Sequence, residues 1–247
     1  MAIRCDFAIS GFANFPSLAS STVPAAPLHG IVDKLKRYYG DPPKPFPTDP
    51  FQQILWVNVA YLADDTRREA AFKTLKKEVG LTPEKILHAP IAKLRKATKF
   101  GILSERFAGK LHECAQIALD EFQGDLKAVV ALPLAEARRA LRKFPGVGEP
   151  GAEKILLFSG RQPLLAPDSN GLRVLRRLGL SPNEEGYSAA YAAARETTSA
   201  QLGADTPTMQ RAHQLLRRHG QETCRTTAPT CDRCPLASMC PRIGVSS

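Results

Sequence analysis

The sequence predicts an all-α protein. After residue 28, apolar residues recur at helical spacing, and short segments of Gly, Pro and Asp separate the periodic stretches. We find no convincing strand pattern and no internal repeat in the sequence. Helices that are joined by connections of a few residues are therefore expected to pack on one another.

The elements follow in order along the chain. Residues 1 to about 28 are rich in Ala, Ser, Pro and Phe and lack periodicity, which predicts a disordered arm. Ile31, Leu35 and Tyr38 mark a first helix over 29–39, and five prolines within 41–50 predict a linker. Further helices are predicted at 50–62, 65–79, 83–87, 91–98, 104–121, 126–131, 134–143, 149–158, 168–178, 187–202 and 207–219.

The composition points to a polyanionic partner. The 247 residues include 34 Lys and Arg against 24 Asp and Glu, a formal charge of +10 and a pI near 9.5. Basic residues concentrate at 93–99, 138–143 and 173–177, clusters that would equally suit solvated helix faces. No apolar run reaches the ~18 residues of a membrane span. There is no secretory signal, so Cys5 and Cys114 are interpreted as free thiols in a reducing compartment.

Four cysteines near the C-terminus carry the most informative spacing. Cys224, Cys231, Cys234 and Cys240 follow the pattern C-x6-C-x2-C-x5-C. Four thiolates within 17 residues can converge on one soft metal centre. From spacing alone, zinc and an iron–sulfur cluster are both open, whereas two disulfides would be typical of a small secreted chain.

A glycine-rich turn joins two predicted helices at Phe144-Pro145-Gly146-Val147-Gly148-Glu149-Pro150-Gly151-Ala152. Glycines at 146 and 148 are expected to adopt backbone conformations that a side chain would block. Gly146, Val147 and Gly148 would then present peptide N–H groups beside a helix N-terminus, which suits a phosphate. Taken alone, such a turn is equally a simple helix connector.

An acid follows about 15 residues later, in Ala166-Pro167-Asp168-Ser169-Asn170. Asp168 stands just before a predicted helix, where an aspartate commonly caps the N-terminus. Capping would not prevent its carboxylate from also taking part in chemistry.

The order of hairpin, acid and cysteine loop resembles the helix-hairpin-helix glycosylase superfamily that includes endonuclease III and the adenine glycosylases. The family pattern reads L-P-G-V-G-x-K-T-A, then V-D-T-H-V-x-R-V, then the cysteine loop. This chain reads FPGVGEPGA, then PDSNGLRV, then its own loop. Asp49-Pro50-Phe51 is similar to the family's N-P-F helix opening, so the resemblance covers about residues 30–242.

The resemblance implies an architecture, a cofactor and a partner. A six-helix barrel over 50–165 would carry the hairpin, and 29–49 with 166–247 would form an iron–sulfur domain. The four cysteines would hold a [4Fe-4S] cluster, which organises a basic loop rather than catalysing. The partner would be double-stranded DNA with a damaged or mismatched base, bound in the cleft by a monomer without a membrane. Such a protein would work at the nucleoid in the cytoplasm of a bacterium, or in the nucleus or an organelle of a eukaryote.

The resemblance also implies a mechanism, with one departure. Asp168 matches the acid that stabilises positive charge on the sugar while the N-glycosidic bond breaks. Family members that also cleave the strand place a lysine where this chain has Pro150, which cannot form a Schiff base. We therefore expect a monofunctional glycosylase. Lys154 lies one helical turn later and could replace the missing amine, or could be an ordinary solvated lysine.

Further DNA contacts are implied less directly. The family's gap-filling position falls near Leu62, and Ile102 in the turn at 100–103 would supply a second wedge. Arg173, in the motif after Asp168, is expected to contact DNA. Trp56 and Tyr61 would line a base pocket or fill the barrel core.

The competing functions are a glycosylase with lyase activity through Lys154 and a member that binds damaged DNA without catalysis.

Overall fold

The computed structural model describes residues 27–44, 47–181, 186–199 and 201–245, and within these ranges it is helical and contains no strand. Two short 3-10 helices, Cys231–Arg233 and Ala237–Met239, lie in the cysteine loop. The α-helices of the described ranges are α1 (Leu28–Tyr39), α2 (Pro50–Asn58), α3 (Asp65–Glu78), α4 (Pro83–Leu87), α5 (Ile91–Thr98), α6 (Ser104–Phe122), α7 (Leu126–Ala131), α8 (Leu134–Leu141), α9 (Glu149–Phe158), α10 (Ser169–Arg177), α11 (Tyr187–Ser199) and α12 (Thr206–Glu222).

Polar residues in the connections determine where many of these helices begin. Asp64, Asp168 and Asp205 each accept a hydrogen bond from the backbone N–H three residues later, at 2.8–2.9 Å. Asp49 and Asp125 cap α2 and α7 in the same way. Each cap satisfies a backbone donor that the first helical turn leaves free. The aspartates in the connecting segments thus fix where these helices begin.

The apolar faces form two hydrophobic cores. The first lies among α2 to α9 and runs from Phe51 to Leu156. The second joins the apolar face of α1, represented by Ile31 and Leu35, to residues between Leu157 and Leu236. The N-terminal helix therefore packs against the C-terminal part of the chain, and the two cores meet at α9 and at the segment that leads to Asp168.

The all-α prediction is confirmed, with local corrections. The helix predicted over 50–62 ends at Asn58, because the chain turns through Leu62 at φ +53° before Asp64 caps α3. Leu28, assigned to the arm, begins α1 and is fully buried. The rest of the predicted arm, 1–26, lies outside the described residues. None of the described helices combines the length and apolarity needed to span a membrane.

Candidate active site

Asp168 lies at the seam between the two cores, as the N-cap of α10. Its Oδ1 accepts a hydrogen bond from Gly171 N at 2.9 Å, so one carboxylate oxygen holds the helix start. Its Oδ2 faces the seam, 3.0 Å from Nε of Arg217. The side chain keeps 25% of its surface exposed, which leaves it accessible to a ligand.

Arg217 of α12 joins Asp168 to the first helical residue of α3. Its Nη2 lies 2.6 Å from Oδ1 of Asp65, while its Nε contacts Asp168. The hydrogen bond from Arg217 lowers the pKa of Asp65, against the opposing effect of burial. Two carboxylates from different parts of the fold are thus held by one guanidinium.

Lys154 lies in the same group of charges. It is half-buried on α9, one turn after Pro150 in the first turn of that helix. Burial lowers its pKa, and the negative charge of Asp168 partly offsets this effect. The Lys154 ammonium is therefore within electrostatic reach of the predicted catalytic acid, although the family's own lysine position is Pro150.

Two further side chains near Asp168 carry no sequence signal. His213 of α12 is buried, and its Nδ1 lies 2.6 Å from the carbonyl oxygen of Ala166. Burial lowers the pKa of His213 to about 4 despite the nearby Asp168 carboxylate, so the ring is neutral near pH 7. Tyr187, the first residue of α11, is 47% exposed; burial and then the Asp168 charge raise the pKa of its phenol.

The hairpin between α8 and α9 has the predicted turn, with one difference. Gly146 has φ +74°, and a Cβ there would lie 2.9 Å from Asn58 Oδ1. Gly148 has an ordinary extended backbone at φ −81°, so the expectation that both glycines need special conformations is wrong for Gly148. Both glycines are exposed, whereas the Val147 side chain is buried in the first core. The Val147 amide donates to the Phe144 carbonyl at 3.1 Å, so the expectation that Val147 presents a free N–H to a phosphate is wrong.

Two exposed turns of the barrel lie together. The amide of Ile102 donates to the Tyr61 carbonyl at 3.0 Å, and Gly101 packs so closely that a Cβ would lie 2.4 Å from Tyr61 N. Leu62 is 71% exposed and Ile102 is 49% exposed, so apolar side chains project from one edge. The Tyr61 ring stacks on Phe107 at 4.6 Å. The role of Leu62 and Ile102 as DNA wedges stays a prediction.

Trp56 is half-buried and packs edge-on against the Phe72 ring in the first core. This contact fits the expectation that Trp56 fills the barrel rather than lines a base pocket.

Three residues of the predicted basic clusters make contacts within the protein. The Arg173 guanidinium donates to the carbonyls of Cys224 and Gly220 at 2.9 and 2.7 Å, and so links α10 to the end of α12. Arg177 is buried and donates to Arg225 O at 2.8 Å. Arg138 pairs with the fully buried Glu153. These contacts describe packing, and DNA contact by Arg173 stays a prediction.

All four cysteines of the C-terminal loop line one pocket. They are free thiols, and burial raises the pKa of Cys234 and Cys240. The Leu236 amide lies 3.4 Å from Cys234 Sγ, and Arg177 Nη1 lies 3.3 Å from Cys224 Sγ. Donors of this kind stabilise sulfur ligands of a metal centre.

The donor set fits a metal centre with sulfur ligands. Four cysteine side chains of one loop line the same pocket, and N–H donors lie beside two of their sulfur atoms. Four thiolates of this kind can hold a single zinc ion or, when each cysteine binds a different iron, an iron–sulfur cluster.

Comparison with known proteins agrees with this geometry. A family model described as HhH-GPD superfamily base excision DNA repair protein matches residues 63–199, more than half of the chain. The chain belongs to the HhH-GPD superfamily. The matched range contains the hairpin and Asp168 and ends before Cys224, so the membership does not depend on the cysteine loop.

Relatives of this HhH-GPD protein include endonuclease III from Sulfolobus acidocaldarius. The two are 27% identical over 191 residues, 77% of this chain and 81% of the relative. A solved structure of a trapped endonuclease III–DNA covalent intermediate has a TM-score of 0.69 at 20% identity, covering 87% of this chain and 96% of that one. A thermostable thymine-DNA glycosylase has a TM-score of 0.68 at 17% identity, covering 87% and 95%. These likenesses establish the fold of an endonuclease III-like DNA glycosylase.

Proposed function

We propose that this HhH-GPD protein is a monofunctional DNA glycosylase, with Asp168 as the catalytic acid and Cys224, Cys231, Cys234 and Cys240 as ligands of a [4Fe-4S] cluster. The observation that carries the proposal is the position of Asp168. It lies at the seam of the two cores, partly exposed, with one oxygen fixed as a helix cap. Double-stranded DNA with a damaged or mismatched base would be the substrate.

The chemistry follows from the charge of Asp168. A base inside a duplex must first leave the stack to reach such a site. When the glycosidic bond breaks, its electron pair leaves with the base, and positive charge builds on the sugar. The Asp168 carboxylate stabilises that charge while a water adds to the sugar carbon, and the proton that the water loses passes to the departed base. Gly146 and Gly148 would hold a DNA phosphate through their exposed backbone.

A cluster on the four cysteines would have a structural role. When bound, it would supply four iron–sulfur links that fix the loop from Cys224 to Cys240. The loop carries the exposed side chains of Arg225 and Arg233, and the exposed Arg242 follows it; all three are proposed phosphate contacts. The cysteines line a pocket together with residues of α10 and α12. Neither Lys154 nor Asp168 lines this pocket, so no catalytic step is assigned to the cysteines.

Lys154 supports a second candidate, a glycosylase with lyase activity. Its amine lies within electrostatic reach of Asp168, and burial lowers its pKa, which increases the fraction present as free amine. That amine could attack the sugar carbon, expel the base and form an imine. Pro150 means that the family's usual lysine cannot supply this amine, but it does not prevent Lys154 from doing so.

One assay separates the candidates. Duplexes that carry a panel of damaged or mismatched bases are incubated with the protein and then analysed with or without alkali. We expect nicks that depend on alkali, because a monofunctional enzyme leaves an intact abasic strand. Direct nicks, with a borohydride-trapped adduct that Lys154→Ala abolishes, would establish the lyase. Tight binding without base loss would instead indicate a damage-binding protein.

A further inference from the structure

The strongest unassigned contact in the seam is the one between Arg217 and the two carboxylates. Arg217 is about one-third exposed, and its Nε and Nη2 contact Asp168 and Asp65 at 3.0 and 2.6 Å. Its third nitrogen donates to Gln221 Oε1 at 3.2 Å on the same helix. Every nitrogen of the guanidinium is engaged, so its orientation is fixed from three sides.

The Asp168 carboxylate has two competing cationic neighbours. Oδ1 is committed to the cap of α10, whereas Oδ2 pairs with Arg217 Nε at 3.0 Å and accepts a hydrogen bond from Asn170 Nδ2 at 3.4 Å. Lys154, on the opposite helix α9, also attracts Asp168. Arg217 holds the carboxylate on the α12 side, and Asp65 shares the guanidinium charge.

The other end of this bridge leads to the exposed turn of the barrel. Asp65 is the first residue of α3, directly after the turn that carries Leu62. Arg68, one turn later, donates to the carbonyls of Trp56 and Ala63 and so fastens this turn to α3. Hydrogen bonds and ion pairs therefore connect the turn that carries Leu62 to Asp168.

We propose that Arg217 is a positioning residue for base excision, which orients the Asp168 carboxylate through its contact with Oδ2 and ties the catalytic acid to the barrel through Asp65. This inference rests on the proposed glycosylase function. Arg217 does not touch the reacting atoms; it acts through Asp168. Loss of the contact should slow the chemical step without weakening the capture of DNA.

The test compares Arg217→Ala with Arg218→Ala. The neighbouring Arg218 carries the same charge on the same helix but pairs with Glu222 and stacks on Tyr39, so it controls for lost positive charge. Single-turnover excision is measured at saturating enzyme, and affinity is measured on an abasic-site duplex. We expect Arg217→Ala to lower excision by about 100-fold, the typical result of a misplaced catalytic group. Arg218→Ala should stay near wild type, and the two variants should bind the abasic duplex equally.

Two additional variants separate positioning from folding. Asp65→Asn should lower excision less than Arg217→Ala and should add nothing in the double variant, because both remove the same bridge. Added guanidinium should restore part of the Arg217→Ala rate but none of the Asp168→Asn rate. If Arg217→Ala is too unstable to assay, Arg217→Lys keeps the charge without the fork and should still lose at least roughly 10-fold.

The outcomes are distinguishable from failure of the proposed function. If wild-type protein excises no base from any lesion, the glycosylase proposal fails and the role of Arg217 fails with it. If wild type is active and Arg217→Ala excises at an equal or higher rate, only the positioning role is overturned. Additive losses in Asp65→Asn and Arg217→Ala would also contradict it.

Discussion

Asn58 donates from Nδ2 to the Pro145 carbonyl at 2.8 Å, so the last residue of α2 holds the hairpin turn between α8 and α9. The same amide nitrogen donates to Ile54 O at 3.1 Å, whereas the Oδ1 atom of Asn58 is buried and has no hydrogen-bond partner among the described residues. That oxygen lies 2.9 Å from where a Cβ of Gly146 would be. The hairpin is thus positioned by a residue 87 positions earlier in the chain.

Replacing Gly146 by Ala should therefore disturb the hairpin. The left-handed backbone costs a residue with a Cβ roughly 1–2 kcal/mol, and the contact with Asn58 requires a further shift. We expect weaker binding to an abasic-site duplex and a lower melting temperature. Gly148→Ala is the matched control, because its backbone is extended and its Cβ would meet only Pro150 Cδ at 3.9 Å. Equal affinities of the two variants would show that the Gly146 conformation is irrelevant to binding.

The cysteine loop should bind iron and sulfide. Protein purified without oxygen is expected to be brown and to contain four irons and four sulfides per chain, as a [4Fe-4S] cluster requires. Cys231→Ser should reduce both folding stability and DNA affinity, because a cluster that holds the loop contributes folding energy. Cys114→Ser, at a buried thiol of the barrel, should keep the iron. A colourless wild-type protein with one zinc per chain would contradict the cluster assignment.

The buried carboxylate of Glu153 should be essential for stability. Glu153 is fully buried in α9, where it contacts Arg138, Arg195 and the Tyr191 hydroxyl. Removing one partner of a buried ion pair leaves uncompensated charge and costs about 3–5 kcal/mol. Glu153→Ala should therefore lower the free energy of unfolding by that amount in denaturant titrations.

Glu149→Ala provides the control for this measurement. Glu149 also pairs with Arg195, at 3.0 Å, but it is 43% exposed. Exposed pairs contribute at most about 1 kcal/mol, so this variant should unfold close to wild type. Similar losses for the two variants would mean that burial of Glu153 does not determine its contribution.

Local signals in the sequence predicted most helix boundaries, because caps and turns depend on neighbouring residues. Helix starts that the sequence predicted are capped by Asp64, Asp168 and Asp205. Contacts between distant residues could not be predicted, since helical periodicity does not say which residues of two helices meet. The bridge from Asp65 through Arg217 to Asp168 is of this kind.

Charge alone could not show how residues of the basic clusters pack. Arg138 pairs with the buried Glu153, and Arg173 donates to helix-end carbonyls. The turn P-G-V-G did not reveal that only Gly146 has positive φ. That difference depends on how α2 approaches the hairpin, which local sequence does not encode.

The decisive prediction concerns Asp168→Asn. An asparagine has nearly the same size and can still accept the hydrogen bond from Gly171, so α10 should keep its cap. It removes the negative charge that would stabilise a cationic sugar, an interaction that acts mainly in the transition state. We expect single-turnover excision on the best lesion to fall by roughly 100-fold or more. Affinity for the lesion duplex should be largely retained, since the contacts between the protein and the unreacted DNA are unchanged.

The Asp168→Asn variant also loses its ion pair with Arg217, so its folding must be measured beside its activity. Asp168 is partly exposed, and we expect only a small change in melting temperature from the lost pair. A matched Asp205→Asn variant removes the charge of another helix cap, at the start of α12, and should excise at the wild-type rate. If Asp168→Asn is as active as Asp205→Asn, the carboxylate at the seam is a helix cap alone, and the catalytic acid must be sought elsewhere.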